Sequence, residues 1–292
     1  MNIKNNLSLI RIKHWLKNIL VFTPLFFSVN FFNKSLLINS IIGFFILSFT
    51  SSIVYIINDI KDVEKDRKNN LKKNRPLASN KLSIKNSKYV ILLLSLIDII
   101  FVIFLYNLTK NIYVIIIPFI YLFINILYSF KLKSIPILDV TIIALGFLLR
   151  VLYGSVVTNI IVSKWLFLII IFGSFYLGYG KRKKELEIVG SSGRKVLKYY
   201  NENFLDKNMH VCLALTILAY SLWTVDVDTI ARVGNNYLFW TIPVVMIIFQ
   251  KYSLDIEGES SGDPVEVIFS DKILLLLIII YLIILYMMVY VL

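Results

Sequence analysis

Asn58, Asp59, Asp62 and Asp66 fall within nine residues of one another. At helical spacing Asp59, Asp62 and Asp66 stand at i, i+3 and i+7, and Asn58, Asp62 and Asp66 at i, i+4 and i+8, so the set shares one face. Carboxylates at that spacing repel, and the helix pays for it unless a cation lies among them. Hard oxygen donors without His or Cys suit Mg2+, which takes one or two carboxylates and completes its shell with water and substrate phosphates. Lys72, Lys73 and Arg75 follow within ten residues of Asp66 and supply cations for the same phosphates. The chemistry indicated is capture of a Mg2+-bound diphosphate. The plainer alternative is a solvated loop of mixed charge.

The flanking sequence must position these acids. IIGFFILSFTSSIVYII directly before them carries no charge, and VILLLSLIDIIFVIFLY soon after carries only Asp98. The chain has 292 residues, 58% of them hydrophobic, with mean hydropathy +0.77. Repeated apolar stretches near 20 residues match the roughly 30 Å hydrocarbon core of a bilayer. Nine candidate spans emerge: 19–34, 36–57, 89–108, 111–130, 135–157, 162–179, 209–225, 236–250 and 272–291. The first is the most diluted, by Pro24, Asn30 and Asn33. The expectation is an all-α polytopic membrane protein of about nine transmembrane helices, forming one domain over residues 1–292. Residues 1–18 are basic and lack a cleavable small-residue site, so no signal peptide is expected. Cys212, the single cysteine, permits no internal disulfide and no thiolate metal cluster.

Net charge +13 would point to nucleic acid in a soluble protein. Here its distribution points to topology instead. The alternate connections 1–18, 58–88, 131–134, 180–208 and 251–272 hold 26 of the 31 Lys and Arg residues. That asymmetry places them in the cytoplasm, with the N-terminus inside and the C-terminus outside. Such a face also suits anionic membrane lipids. The acid-bearing loop 58–88 and the loop 180–208 lie about four spans apart, which hints at a duplicated four-helix unit, although the residues show no clear repeat.

The pattern NDxxDxxxD from Asn58 to Asp66, then Lys72, then Arg75-Pro76-Leu77-Ala78-Ser79, resembles the first signature of the UbiA prenyltransferase superfamily. The segment YSFKLKSIPILDV, with Tyr128, Ser129, Lys131, Lys133 and Asp139, resembles the stretch after that superfamily's fourth helix. The resemblance covers nearly the whole chain. It implies a nine-helix bundle with cytoplasmic active-site loops and Mg2+ used to ionise a diphosphate substrate. Members acting on aromatic rings carry a second motif, DxxxD, after the sixth helix. This chain has YGKRKKELE at 179–187. Gly180, Lys181, Arg182, Glu185 and Leu186 match the GKRxxEL signature of the polyprenyl-phosphate phosphoribosyltransferase branch. RIKHWLKNILVFTPL (11–25), RKVLKYY (194–200) and GDPVEVIFSDK (262–272) resemble that branch too. One departure is Asn69-Asn70, where the family usually has His-Pro.

The resemblance implies transfer of 5-phosphoribose from phosphoribosyl pyrophosphate to a polyprenyl phosphate of decaprenyl type, in the cell (inner) membrane. Asn58, Asp59, Asp62 and Asp66 would hold the metal, with the three aspartates catalytic. Lys17, Asn58, Lys72, Arg75, Tyr128, Lys131, Lys133, Lys181, Arg182 and Glu185 would bind substrate. A basic second motif suits such substrates, because the donor's 5-phosphate and the acceptor's phosphate both need cations. Nucleic acid is not an expected partner, and a homo-oligomer is compatible with the pattern.

Other residues weigh less. Arg150 lies inside a span, where an arginine is a functional candidate by default; pairing with a helix carbonyl or with Asp98 is the structural alternative. Asp139 either joins the metal site or pairs with Lys133. His14 and His210 are isolated, and Trp15, Trp165, Trp223 and Trp240 fit an aromatic belt. Asp226 and Asp228 lie on the far face. No GxxxxGK[ST] or GxGxxG phosphate loop appears. The competing readings are a prenyltransferase joining an isoprenyl diphosphate to an aromatic or other small acceptor, and a transporter. GKRxxEL in place of DxxxD argues against the first. The scarcity of charge inside spans argues against the second.

Overall fold

The computed structural model describes residues 3–68, 73–190, 194–258, 260 and 262–292. Among them the regular structure is all helical, with no strand. The α-helices are α1 (Ile3–Ile10), α2 (Thr23–Phe27), α3 (Lys34–Lys68), α4 (Ile84–Thr109), α5 (Tyr113–Phe130) and α6 (Leu138–Thr158). They continue with α7 (Lys164–Val189), α8 (Glu202–Val225), α9 (Val227–Val233), α10 (Ile242–Glu257), α11 (Pro264–Ser270) and α12 (Lys272–Tyr290).

Among the described residues seven helices are long and apolar enough to cross a membrane: α3, α4, α5, α6, α8, the continuous Tyr237–Glu257 run ending in α10, and α12. The other two expected spans take different forms. Residues 19–34 do not build one long helix; a 3-10 segment, Ile12–Phe22, runs into the five-residue α2. Pro24 lacks the amide hydrogen a helix interior needs, and Asn30 and Asn33 dilute the apolar run beyond it. Helix α7 is 26 residues long, but its last third, GKRKKELEIV, is charged.

The chain divides into two compact units. The first comprises residues 1–25, 31–130 and 149–160, and the second residues 26–30, 131–148 and 161–292.

In the first unit α3 is the enclosed element: 67% of its most apolar window is buried, against 17% for α4. Lipid is as apolar as leucine, so close packing and internal polar bonds hold membrane helices together. Helix α3 carries both. Ser48, Thr50 and Ser52 each donate a hydroxyl to the carbonyl one turn back, at 2.7, 2.9 and 2.8 Å. The 3-10 segment lies along this face. Asn18 Nδ2 donates to Ser48 Oγ at 2.9 Å, and Trp15 Nε1 to Ser52 Oγ at 3.0 Å. Arg150 locks the segment from the other side, its Nε donating to Asn18 Oδ1 at 2.7 Å and its Nη2 to the Tyr121 hydroxyl at 2.8 Å. The partners expected for Arg150 were a carbonyl or Asp98; Asp98 instead accepts from Thr50 at 2.8 Å. Gly154 admits the segment's backbone, since a Cβ there would lie 2.1 Å from the Val21 carbonyl oxygen.

In the second unit α7 and α8 pack with the start of α6 around Tyr176, Tyr179, Leu205, Met209 and Ile256. A Cβ on Gly178 would stand 2.5 Å from Val140 Cγ1, so α6 and α7 touch at a glycine. Helix starts are capped by side chains: Ser163 accepts from Leu166 N, Asn201 from Phe204 N and Asp271 from Leu274 N. Trp223 is buried against Phe27 and Tyr220 rather than standing in an interfacial belt.

Candidate active site

Helix α3 does not stop where its apolar stretch ends. It runs ten residues beyond Asn58 to Lys68, so the acids are helical and Asp59 and Asp66 share a buried face. Their mutual repulsion is relieved by guanidinium groups. Arg75 Nη1 lies 3.1 Å from Asp59 Oδ1 and 2.7 Å from Asp66 Oδ2, bridging two turns of the helix. Arg11 Nη2 approaches the same Asp59 oxygen at 2.5 Å. Asn58, Asp62, Lys17 and Tyr128 are half-buried, and Lys73 is exposed. Lys72 and Asn69-Asn70 lie outside the described residues. Lys61, on the same helix, donates to the Ser129 carbonyl at 2.9 Å and covers the Phe130 ring at 3.9 Å.

Among the described residues, no three His, Cys, Asp or Glu side chains stand together as a ready-made metal cage. Two carboxylates bridged by one cation are nevertheless the usual protein share of a Mg2+ site, the substrate's phosphates supplying the rest. The donors are all oxygen. They fit a hard divalent ion.

The GKRxxEL motif, in the second unit, ends α7. Arg182 is fully buried, which differs from the expectation of an open phosphate ligand. Its Nε donates to Asp139 Oδ2 at 2.6 Å and its Nη1 to Glu185 Oε2 at 2.6 Å. The planar guanidinium makes arginine the residue suited to such buried pairs. Glu185 also accepts from Arg194 Nε at 3.1 Å. Burial alone would raise the Glu185 pKa; Arg182, Arg194 and Lys181 outweigh it and hold the carboxyl down at about 2. Asp139 thus pairs with Arg182 rather than with Lys133. Its other oxygen accepts from the Tyr200 hydroxyl at 2.6 Å. That hydroxyl in turn accepts from Ile137 N at 2.6 Å. Burial, then the bond to Asp139, push the Tyr200 phenol well above its ordinary value. Ile137 has φ of 66°, a region costly for a β-branched residue, and the hydroxyl anchors that turn. Lys131, exposed, and Lys133, half-buried, lie in the segment leading into it.

Lys181 faces Asp263, Nζ to Oδ2 at 2.8 Å, while Asp263 Oδ1 caps α11. Lys183 pairs with Asp206 at 2.7 Å, and Lys184 with Glu187 at 2.8 Å. Arg11, Lys61, Arg194, Tyr200 and Asp263 were not singled out from sequence. Arg11, Arg194, Tyr200 and Asp263 do lie in the three segments that carry the resemblance.

Paired acids at the end of α3, a basic motif at the end of α7 and several helices long and apolar enough to cross a membrane define the class as a polytopic membrane protein. The family model "UbiA prenyltransferase family" matches residues 20–262. The chain belongs to the UbiA prenyltransferase family. It is 29% identical, over 97% of its length and 86% of the relative's, to the decaprenyl-phosphate phosphoribosyltransferase of Corynebacterium glutamicum. It is also 29% identical, over 92% and 88%, to that of Mycobacterium tuberculosis. A 4-hydroxybenzoate octaprenyltransferase of Francisella tularensis matches at 34% identity, over 49% of this chain and 53% of that one. Among solved structures, a UbiA homolog from Archaeoglobus fulgidus bound to GPP and Mg2+ superposes with TM-score 0.70 at 16% identity, covering 96% of this chain and 99% of that one. A digeranylgeranylglyceryl phosphate synthase gives TM-score 0.65 at 23% identity, over 96% and 97%.

Proposed function

We propose that the protein transfers 5-phosphoribose from phosphoribosyl pyrophosphate to a polyprenyl phosphate. The observation that carries this reading is the basic GKRxxEL motif where aromatic-ring prenyltransferases have a second aspartate pair. The full-length likeness to decaprenyl-phosphate phosphoribosyltransferases supports it.

In the reaction, the bond from ribose C1 to the diphosphate oxygen breaks and its electron pair leaves with the diphosphate. An oxygen of the acceptor phosphate supplies the pair for the new bond to C1. The acceptor is already ionised, so no strong general base is required. Stabilising the leaving group and excluding water are the main tasks. Asp59, Asp62 and Asp66 with Asn58 would hold Mg2+, which when bound would supply Lewis-acid stabilisation of the departing diphosphate. Lys72 and Arg75 add charge-assisted hydrogen bonds to that group. Lys17, Lys131, Lys133 and Lys181 serve the remaining phosphates, with Tyr128 lining the donor. Arg182 and Glu185 act as positioning residues, through the Asp139–Tyr200 network that anchors the turn after Lys133. The loops carrying these residues face the cytoplasm across the cell (inner) membrane.

The test is direct: purified protein, Mg2+, labelled phosphoribosyl pyrophosphate and decaprenyl phosphate. Label in the lipid fraction with release of pyrophosphate is expected. The half-length likeness to an octaprenyltransferase favours a second reading, prenyl transfer to an aromatic acceptor. Consumption of an isoprenyl diphosphate with 4-hydroxybenzoate, phosphoribosyl pyrophosphate remaining untouched, would replace the first reading with the second.

A further inference from the structure

Arg11 stands 48 residues from Asp59 in sequence, yet its guanidinium shares an oxygen with Arg75. It holds an unusual backbone to do so, with φ 57° and ψ 52° at the start of the 3-10 segment. A left-handed conformation is unfavourable for a non-glycine residue and persists where its surroundings over-determine it. Those surroundings form a ladder along one face of α3. Asn18 is bonded to Ser48, Trp15 to Ser52, and Ser52 Oγ donates to the Ile10 carbonyl at 2.9 Å. The Arg11 guanidinium lies 5.1 Å from the centroid of the Tyr55 ring, next along the same helix. The side chain keeps 18% of its surface exposed, and Arg75 keeps 27%, so both guanidiniums are reachable from solvent.

Two guanidiniums on one buried carboxylate oxygen are more cation than that oxygen needs. Asp59 and Asp66 balance Arg11 and Arg75 only while both carboxylates are given to the arginines. If the carboxylates are given to a divalent ion, two fixed guanidiniums are left without compensation. An anion carrying several oxygens is their complement, and guanidinium forks match phosphate geometry. We propose that Arg11 is a further substrate-binding residue, clamping the diphosphate together with Arg75 when the carboxylates of α3 are engaged. This rests on the reading that the α3 acids serve a diphosphate substrate.

The experiment measures binding of Mg2+-pyrophosphate to the purified full chain by calorimetry, with thermal stability recorded in parallel. Wild type, R11A, R11K and S52A are compared. Ser52 belongs to the ladder that holds the segment and not to the proposed site. Losing a charge-assisted contact should weaken pyrophosphate binding about tenfold to a hundredfold in R11A. R11K should recover part of it, an ammonium lacking the fork, and S52A should lower stability while binding as wild type does. Equal pyrophosphate affinity in wild type and R11A overturns the assignment. So does an equal loss in R11A and S52A, because Arg11 would then act only by tethering the segment. Failure of wild type to bind Mg2+-pyrophosphate would overturn the diphosphate reading itself.

Discussion

Arg182 and Asp139 offer the sharpest test, because both side chains are fully excluded from solvent and lie 2.6 Å apart. Removing one partner of a buried pair typically costs about 3–5 kcal/mol, since the other charge is left without compensation. Asp139→Asn removes the charge while the amide oxygen still accepts from Tyr200. Arg182 keeps Glu185, whose side chain is 21% exposed, so the loss belongs at the lower end, about 3 kcal/mol. For a chain of this size each kcal/mol is worth roughly 2–4 °C in melting temperature, so a fall of about 6–12 °C is expected. Arg182→Met leaves the buried Asp139 without its cation, while Glu185 keeps Arg194, and should cost about 4 kcal/mol. Asp139→Asn with Arg182→Met removes both charges and should lose less than the sum of the single changes, by at least about 2 kcal/mol. The assay is heat-induced loss of the monodisperse detergent peak, beside initial rates over a range of donor concentrations that gives kcat and KM. If Asp139→Asn melts within about 1 °C of wild type and raises only KM for phosphoribosyl pyrophosphate, Arg182 is a substrate ligand and the positioning argument fails.

Four further outcomes are expected. Asp59→Asn and Asp66→Asn should each reduce turnover at least a hundredfold while the protein still purifies as a membrane-embedded species, and excess chelator should abolish wild-type turnover; full activity in chelator would remove the metal from the mechanism. Glu185, ordinarily near 4.5 and held at about 2 when folded, contributes stability that is complete above about pH 4.5 and is lost as pH falls toward 2. That contribution is about 3 kcal/mol. The melting temperature should therefore fall below pH 4.5 in wild type and less steeply in Glu185→Gln, and parallel curves would contradict the pairing. Gly154→Ala should destabilise by at least about 2 kcal/mol, because its Cβ would meet the Val21 carbonyl at 2.1 Å and backbone cannot yield as a flexible side chain does. On a Cys212→Ser background, Lys68→Cys and Lys198→Cys should react with an impermeant maleimide only from the cytoplasmic side and Arg232→Cys only from outside; Lys68→Cys and Lys198→Cys reacting from opposite sides would defeat the assigned topology.

What the sequence made legible was local. Asp59 and Asp66 lie seven residues apart, and helical periodicity alone puts them on one face; that Arg75, expected as a phosphate ligand, bridges the two carboxylates is visible only in the fold. Hydropathy located α3, α4, α5, α6, α8 and α12 because each is a long apolar run. It overreached at residues 19–34, where apolar content is sufficient but Pro24 and the asparagines deny the segment a long helix. The side chains whose partners the sequence hides all meet residues distant along the chain. Arg182 finds Asp139 across 43 residues and Tyr200 finds it across 61, and no periodicity encodes such pairs. A lysine-arginine run beside an expected phosphate site reads as solvent-facing cations. Only the fold reveals that Arg182 is fully enclosed while Lys181, one position earlier, keeps part of its side chain in solvent. That division matches their chemistries: a rigid guanidinium holds two carboxylates inside the protein, and a flexible ammonium facing Asp263 can exchange a carboxylate for a phosphate. On the proposed reading the GKR triplet would join a structural cation to a substrate-binding one, and arginine and lysine would not be interchangeable within it.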